Sequence, residues 1–151
     1  MRRLNPYAVA PDGVAALVGV ETYLKICGLD PRLQLLVKVR VSQMNGCAYC
    51  LHMHTEDARK LGESEARLYL LDAWRESNLY SAKERAALCW AESLTDIATS
   101  RAPDSTYDEA RRQFSEKELA DLSIAVAMIN AWNRLSIASR AVHPADMAKA
   151  A

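Results

Sequence analysis

Apolar residues recur along most of this chain at the spacing of an α-helix, in which positions i, i+3, i+4 and i+7 share one face. The clearest stretch lies towards the C-terminus, where Leu119, Leu122, Val126, Ile129 and Leu135 follow this spacing. Residues that interrupt helices are few, with five Gly and five Pro among 151 residues. The pattern therefore predicts an all-α protein.

Capping and chain-breaking residues divide this pattern into seven predicted helices. They cover about residues 13–27, 31–44, 47–61, 64–77, 81–99, 105–113 and 115–142. The capping residues are Asp12, Asp30 with Pro31, Ser64, and two capping boxes, Ser81 with Glu84 and Ser115 with Glu118. His143-Pro144 ends the last long helix, and the remaining residues allow a short tail helix.

The segment 31–44 fits two patterns. Three valines at 37, 39 and 41 alternate with Lys38 and Arg40, which is the period of a β-strand. Leu33, Leu36 and Met44 instead continue a helical stripe through the same residues. The helix is favoured from the residues alone, and the strand remains an alternative.

Composition narrows the class of protein. A chain of 151 residues predicts one domain, residues 1–151, and its 19 basic and 19 acidic residues balance. This balance predicts neither a nucleic-acid partner nor a membrane surface, and no apolar run approaches the ~20 residues of a membrane span. Because the first residues lack the apolar stretch of a signal peptide, we expect a cytoplasmic protein, in which cysteines are reduced or catalytic.

Residues 45–54, NGCAYCLHMH, hold the strongest chemical signal. Cys47, Cys50 and His54 fall on one stripe of a helix that begins after the Asn45-Gly46 break, so two thiols and an imidazole would meet. Thiol–disulfide and peroxide chemistry needs a thiolate, which a nearby base or a helix N-terminus makes available. His54 is expected to face protein, and His52 to face water.

These residues have two other interpretations. The cysteines could be a buried reduced pair, or they could bind zinc with His54 and a fourth ligand, His52 or His143. Residues on one helix seldom surround a tetrahedral ion, so no metal and no other cofactor is predicted. Cys27 and Cys89 are interpreted as small core residues, and Trp74, Trp90 and Trp132 as core or subunit-interface residues. Asn130, Asn133 and Arg134 are expected to play structural roles.

Residues 43–50 (QMNGCAYC) with His54 resemble the alkylhydroperoxidase AhpD-like, carboxymuconolactone decarboxylase family. The resemblance continues at residues 57–62, 81–88 and 129–135, and spans about residues 12–142. It implies an AhpD-like helical bundle, with residues 31–44 as helix, and a homo-oligomer, often a trimer or hexamer. It also implies a thiol peroxidase or disulfide reductase of antioxidant defence. The implied partners are a hydroperoxide substrate and a dithiol reductant, either lipoyl or thioredoxin-like.

The resemblance also implies roles for three residues. Cys50 matches the peroxidatic cysteine, Cys47 its disulfide partner, and His54 the relay histidine. The position of the helix terminus favours Cys47 instead as the thiol of lower pKa; we follow the family for the peroxide step.

One residue departs from the family pattern. The family's relay carboxylate lies twelve residues before the first cysteine, and this chain has Leu35 there. Gln34 and Lys38 are near in sequence, but neither is an equivalent base. A turnover-deficient binding or scaffold oligomer of the same fold therefore remains an alternative to a peroxidase. An enzyme of the decarboxylase branch is a second alternative, but that branch does not depend on a C-x-x-C, so the intact cysteine pair argues against it.

Overall fold

The computed structural model describes residues 3–143 and 145, and the regular structure of these residues is helical. The helices are α1 (Pro6–Val9), α2 (Pro11–Ile26), α3 (Pro31–Asn45), α4 (Ala48–Lys60), α5 (Glu65–Leu70), α6 (Ala82–Thr95), α7 (Ile97–Ser100), α8 (Asp104–Gln113) and α9 (Glu116–Ser139), with a 3₁₀ turn at Leu71–Ala73. The prediction of an all-α protein is confirmed.

Side-chain caps start most of the long helices where the sequence predicts. Both capping boxes form: Ser81 accepts the N–H of Glu84, and Ser115 accepts the N–H of Glu118, while each glutamate bonds back. Asp30 accepts the N–H of Arg32 at 2.9 Å at the start of α3. These bonds satisfy N–H groups that have no partner within the first helical turn.

The predicted start of the first helix is wrong. Helix α2 begins at Pro11 with Ala10 as its N-cap, and Asp12 lies in the first turn without capping it. Proline favours the first helical position because its fixed φ suits the helix and the missing N–H is not needed there. A further short helix, α1, precedes it and was not predicted.

Two predicted helices are shorter than expected. The helix predicted for residues 64–77 ends at Leu70 and continues as the 3₁₀ turn to Ala73. The helix predicted for residues 81–99 is interrupted at Asp96, whose backbone leaves the helical region before α7 begins.

The last long helix ends three residues before the predicted Val142. Arg140 adopts a left-handed conformation with φ +52°, and its N–H bonds the carbonyl of Ile137. With 24 residues, α9 extends roughly 36 Å at ~1.5 Å per residue. None of the helices in residues 3–143 is long and apolar enough to cross a membrane. The predicted tail helix lies outside the described residues, apart from Ala145.

Helix α3 is the element around which the others pack. The three valines of its strand-like stretch are all buried, because α4, α6 and α9 cover different sides of this helix. The intervening Lys38 and Arg40 make ion pairs, with Glu21 of α2 and Glu92 of α6, at 2.7 Å each. A helix packed on several sides thus has apolar residues around its circumference, which explains the alternation.

One hydrophobic cluster joins α3, α6, α8 and α9 and includes residues from Leu29 to Ile129. A second cluster lies between α3, α4 and α6 and includes Leu71 and Trp74. Helix α2 packs on α9 through Leu24 and Met128. The C-terminal end of α3 and the start of α4 therefore lie against rigid neighbours.

Candidate active site around Cys47 and Cys50

A tight turn between α3 and α4 presents the two cysteines. Gly46 adopts the left-handed conformation with φ +68°, which costs a glycine little because it has no Cβ. The N–H of Cys47 then bonds the carbonyl of Ser42 at 3.0 Å, which closes the end of α3. The Asn45-Gly46 break predicted from sequence is therefore the turn that reverses the chain.

A polar cluster fixes this turn to α9. The side-chain amide of Asn45 donates to Asn130 and to Asn133, at 2.9 Å each. Asn133, which is fully buried, donates in turn to the hydroxyl of Ser42 at 3.1 Å. Buried polar groups that bond one another hold a rigid arrangement, so these residues fix the path of the chain at the cysteines.

Cys47 is the N-cap of α4, whereas the sequence predicted that it would be the first residue of this helix. Its sulfur accepts the N–H of Cys50 at 3.3 Å, in the place where an oxygen usually caps a helix. The two cysteines form a disulfide with a Cα–Cα distance of 5.4 Å, and both are almost fully buried, at 1% and 2% exposed. The expectation that the two sulfurs meet is confirmed.

His54 lies one turn after Cys50 on the same face of α4 and is 8% exposed, so the expectation that it faces protein is confirmed. Its Nδ1 is buried and has no hydrogen-bond partner among residues 3–143. Burial lowers the pKa of His54 to about 4; the positive charge of Lys38 contributes, whereas Glu21 and Asp57 act in the opposite direction. The imidazole is therefore neutral at neutral pH.

A cavity of about 890 Å³ opens beside Cys50 and His54. It lies between α1, α2, α3, α4 and α9, and the segment that follows α9 also contributes. Its apolar lining includes Leu35, Met53, Leu61, Trp132 and Leu135. Cys50 and His54 line this cavity, whereas Cys47 lies outside the lining. A molecule in the cavity would thus reach Cys50 before Cys47.

One wall of the cavity is aromatic. Tyr7 of α1 stacks on Trp132 of α9, with ring centroids 6.4 Å apart and planes inclined by 12°. Trp74 and Trp90 are buried in the core as expected, but Trp132 was not predicted to line a site. The short helix α1 contributes Pro6 and Tyr7 to the lining, so the unpredicted helix is part of the site.

The cavity also contains an ion pair that the sequence analysis missed. Lys38 donates to one carboxylate oxygen of Glu21 at 2.7 Å, and the indole of Trp132 donates to the other at 3.1 Å. Glu21 lies 26 residues before Cys47, on a different helix. No motif connects these positions; the only sequence signal is an acidic residue within the mainly apolar stretch that forms α2.

Leu35, at the position of the missing relay carboxylate, and the adjacent Gln34 make structural contacts. Leu35 is half-buried and forms part of the apolar cavity wall. Gln34 donates to the carbonyls of Leu24 and Leu29, at 3.0 and 3.2 Å, and so closes the end of α2. Neither side chain can accept a proton in place of a carboxylate.

The remaining candidates lie apart from the cavity. His52 is partly exposed, its Nε2 is 3.7 Å from Glu56, and its ring lies 5.8 Å from that of His143. Cys27 and Cys89 are half-buried free thiols. Across residues 3–143, no group of three or more His, Cys, Asp and Glu side chains is arranged to hold a metal ion.

The chain matches the carboxymuconolactone decarboxylase family over residues 11–93 and belongs to this family. The match contains Glu21, Leu35, both cysteines of the pair and His54.

Three similar proteins illustrate the range of the family fold. The chain is 44% identical to the uncharacterized protein YdfG of Bacillus subtilis over 137 residues, which are 91% of this chain and 93% of YdfG. A crystal structure of a protein of unknown function from Agrobacterium tumefaciens, for which an AhpD-type antioxidant defence role has been suggested, superposes with a TM-score of 0.93. It is 38% identical, and the match covers 95% of this chain and 99% of that one.

The debrominase Bmp8 has the same fold, with a TM-score of 0.78 at 23% identity over 89% of this chain and 73% of that one. A debrominase and a protein with a suggested antioxidant role therefore share one fold. The fold alone does not set the activity, and the residues at the site must decide it.

Proposed function

We propose that this protein is a thiol-dependent peroxidase of the AhpD-like type, with Cys50 as the peroxidatic cysteine, Cys47 as its disulfide partner and His54 as the base. The observation that carries the proposal is the position of Cys50 and His54 together on the wall of the cavity, with Cys47 bonded behind Cys50. This arrangement supports Cys50 over Cys47 as the residue that meets the substrate.

The reaction has three steps. His54 accepts the proton of the Cys50 thiol, and the thiolate attacks the terminal oxygen of a hydroperoxide, so that an S–O bond forms and the O–O bond breaks. The alkoxide that leaves takes the proton from His54 and becomes an alcohol, and Cys50 is left as a sulfenic acid. The thiol of Cys47 then attacks that sulfur, so a disulfide forms and water leaves. An external dithiol, lipoyl or thioredoxin-like as the family suggests, reduces the disulfide by exchange and is itself oxidised.

The cavity supports a substrate with an apolar body. Its walls are mainly hydrocarbon and aromatic, so burial of an alkyl or aryl group there is favourable by ~25 cal/mol per Å² of apolar surface. Hydrogen peroxide offers no such surface. We therefore expect organic hydroperoxides to react faster than hydrogen peroxide.

The test follows thiols and sulfenic acid in the reduced protein. Hydrogen peroxide and cumene hydroperoxide are each mixed with the parent, Cys50→Ser, Cys47→Ser and a Cys27→Ser/Cys89→Ser control, and turnover is then measured with dihydrolipoamide or reduced thioredoxin. We expect two thiols lost per peroxide in the parent and in the control, none within the pair in Cys50→Ser, and a trapped sulfenic acid in Cys47→Ser.

Two outcomes would contradict the proposal. If the parent keeps its thiols under peroxide, the turnover-deficient scaffold suggested by Leu35 becomes the better hypothesis. If Cys47→Ser is inert and Cys50→Ser forms the sulfenic acid, the roles of the cysteines are reversed.

We also propose that the chain assembles with copies of itself. Several large apolar side chains are exposed on this single chain, among them Val18, Ile26, Ile124 and Ile137. Light scattering at micromolar concentration should report a mass of at least two chains of 16.8 kDa each, and a stable mass of one chain would contradict the proposal.

A further inference from the structure

The cavity beside Cys50 contains a carboxylate that comes from a different helix than the one the family pattern uses. Glu21 of α2 lines the same cavity as Cys50 and His54. Its two oxygens are both bonded, one by Lys38 at 2.7 Å and one by the indole of Trp132 at 3.1 Å. Its position is therefore fixed by α3 and by α9.

The ion pair places this carboxylate beside the wall that Leu35 occupies. Lys38 follows Leu35 by three residues in α3, and residues at this spacing lie on the same face of a helix. Glu21 and Lys38 are mostly shielded from water, with side chains 22% and 12% exposed. The negative charge that residue 35 lacks is thus present at the same face of α3, on a side chain from α2.

The other charged groups around the cavity do not replace it. Besides Glu21, α2 contributes Lys25; α4 contributes Asp57, which is paired with Lys60 at 3.4 Å. The lining residues from α1 and α9 carry no charge, although Tyr7 and, from α4, Tyr49 bring phenol groups. The side chain of Asp57 is 46% exposed, so water screens its charge more than that of Glu21.

We propose that Glu21 is a positioning residue for the Cys50–His54 pair, and that it supplies from α2 the negative charge which stabilises the protonated His54. The proposal deepens the proposed function and rests on it. When the thiol proton moves from Cys50 to His54, a thiolate and an imidazolium form together, and no charge enters or leaves. Glu21 attracts the imidazolium and repels the thiolate, and the proposal requires the attraction to be the larger of the two; Lys38 limits the effect on His54.

The charges acting on His54 in the oxidised protein support this proposal. Glu21 raises the pKa of His54, in opposition to burial and Lys38, which lower it. The pKa of His54 is low even with Glu21 present, so loss of this negative charge would weaken the base further. Glu21 and Lys38 therefore shift the pKa of His54 in opposite directions.

The experiment measures the reactivity of Cys50 without peroxide. The reduced protein is alkylated with iodoacetamide over a range of pH, and the Cys50 peptide is quantified by mass spectrometry. Glu21→Gln should move the midpoint of the pH dependence of Cys50 alkylation to higher pH by roughly half a unit to one unit. Below the midpoint, this shift corresponds to a three- to tenfold loss of alkylation rate. Glu21→Asp should move it less, and Lys38→Met should move it to lower pH.

Two further variants sharpen the test. Glu56→Gln makes the same chemical change on the outer face of α4, outside the cavity, and should leave the midpoint unchanged. Leu35→Glu in a Glu21→Gln background returns a carboxylate to the family position and should move the midpoint back towards that of the parent. In the oxidised protein, NMR titration should show a lower pKa for His54 in Glu21→Gln.

Three results would overturn the proposal, each read on protein with native circular dichroism. The midpoint of Glu21→Gln could coincide with that of Glu56→Gln. Glu21→Gln and Glu21→Asp could shift equally, which would indicate a purely structural role. Lys38→Met could fail to move the midpoint to lower pH, and this variant keeps the proposal testable if Glu21→Gln does not fold. The alkylation experiment uses no peroxide, so it tests the role of Glu21 separately from the proposed function. A parent protein that does not turn over peroxide would refute the proposed function but would produce none of these three results.

Discussion

The buried, uncharged state of His54 makes the stability of this protein depend on pH. The pKa of His54 is lowered to about 4 in the folded protein, mainly by burial, whereas an unfolded chain has the ordinary value of ~6.5. Between these values the unfolded chain binds a proton that the folded protein excludes. Stability should therefore be unaffected by His54 above about pH 7 and should fall as the pH drops towards 4.

The expected loss is large enough to measure. The two pKa values differ by about 2.5 units, and each unit corresponds to ~1.36 kcal/mol, so the loss approaches roughly 3 kcal/mol below pH 4. At pH 5 the same relation gives about 2 kcal/mol. Since His54 is 8% exposed, solvent screening reduces this value little.

A matched variant isolates this contribution from the other titrating groups. His54→Gln keeps a polar side chain but does not titrate, and the carboxylates with lowered pKa values, such as Glu92 and Asp121, are common to both proteins. Urea unfolding of the oxidised parent and variant at about pH 7.5 and pH 5 should show a free-energy difference that changes by about 2 kcal/mol in favour of the variant. If the difference in unfolding free energy is the same at both pH values, His54 titrates near its ordinary pKa in the folded protein. A direct NMR titration of His54 should then give that ordinary value.

Two further substitutions test the support of the cysteine turn. Asn133→Ala removes one of the two acceptors of the Asn45 amide and the donor to the buried Ser42 hydroxyl, and should cost about 1–3 kcal/mol in urea unfolding; a loss below about 0.5 kcal/mol would show that water replaces these bonds. In Gly46→Ala the added Cβ meets no atom within 4 Å, but the residue must adopt φ +68°. The variant should therefore lose roughly 1–2 kcal/mol of unfolding free energy, and an unchanged urea midpoint would refute the account of this turn.

Local hydrogen bonding explains which parts of the fold the sequence could predict. The capping boxes at Ser81 and Ser115 need only residues three positions apart, so their signal is contained in the sequence. The interruption of the predicted 81–99 helix at Asp96 has no such signal. There Ser100 donates to the carbonyl of Ser93, which holds the chain after the break. Boundaries of this kind depend on bonds between residues further apart.

The same distinction applies to the candidate site. Cys50 and His54 share a face because helical periodicity requires it, and the motif identified both. The Glu21–Lys38 pair joins two helices, and the bond from Trp132 to Glu21 spans 111 residues. Sequence spacing alone does not predict contacts of this kind, so the cavity, its aromatic wall and Glu21 were missed.

Leu35 has a different meaning once Glu21 is considered. From the sequence, it removes the carboxylate of the relay and argues against turnover. In the structure, Lys38 lies on the same face of α3 and already binds the carboxylate of Glu21 at 2.7 Å. A second carboxylate at residue 35 would compete with Glu21 for one ammonium group, and a buried carboxylate without a full partner is unfavourable. Leucine at this position avoids that conflict and extends the apolar wall of the cavity. The departure from the family pattern is therefore compatible with an active site whose carboxylate comes from α2, and the strength of His54 as a base then depends on the packing of α2 against α3.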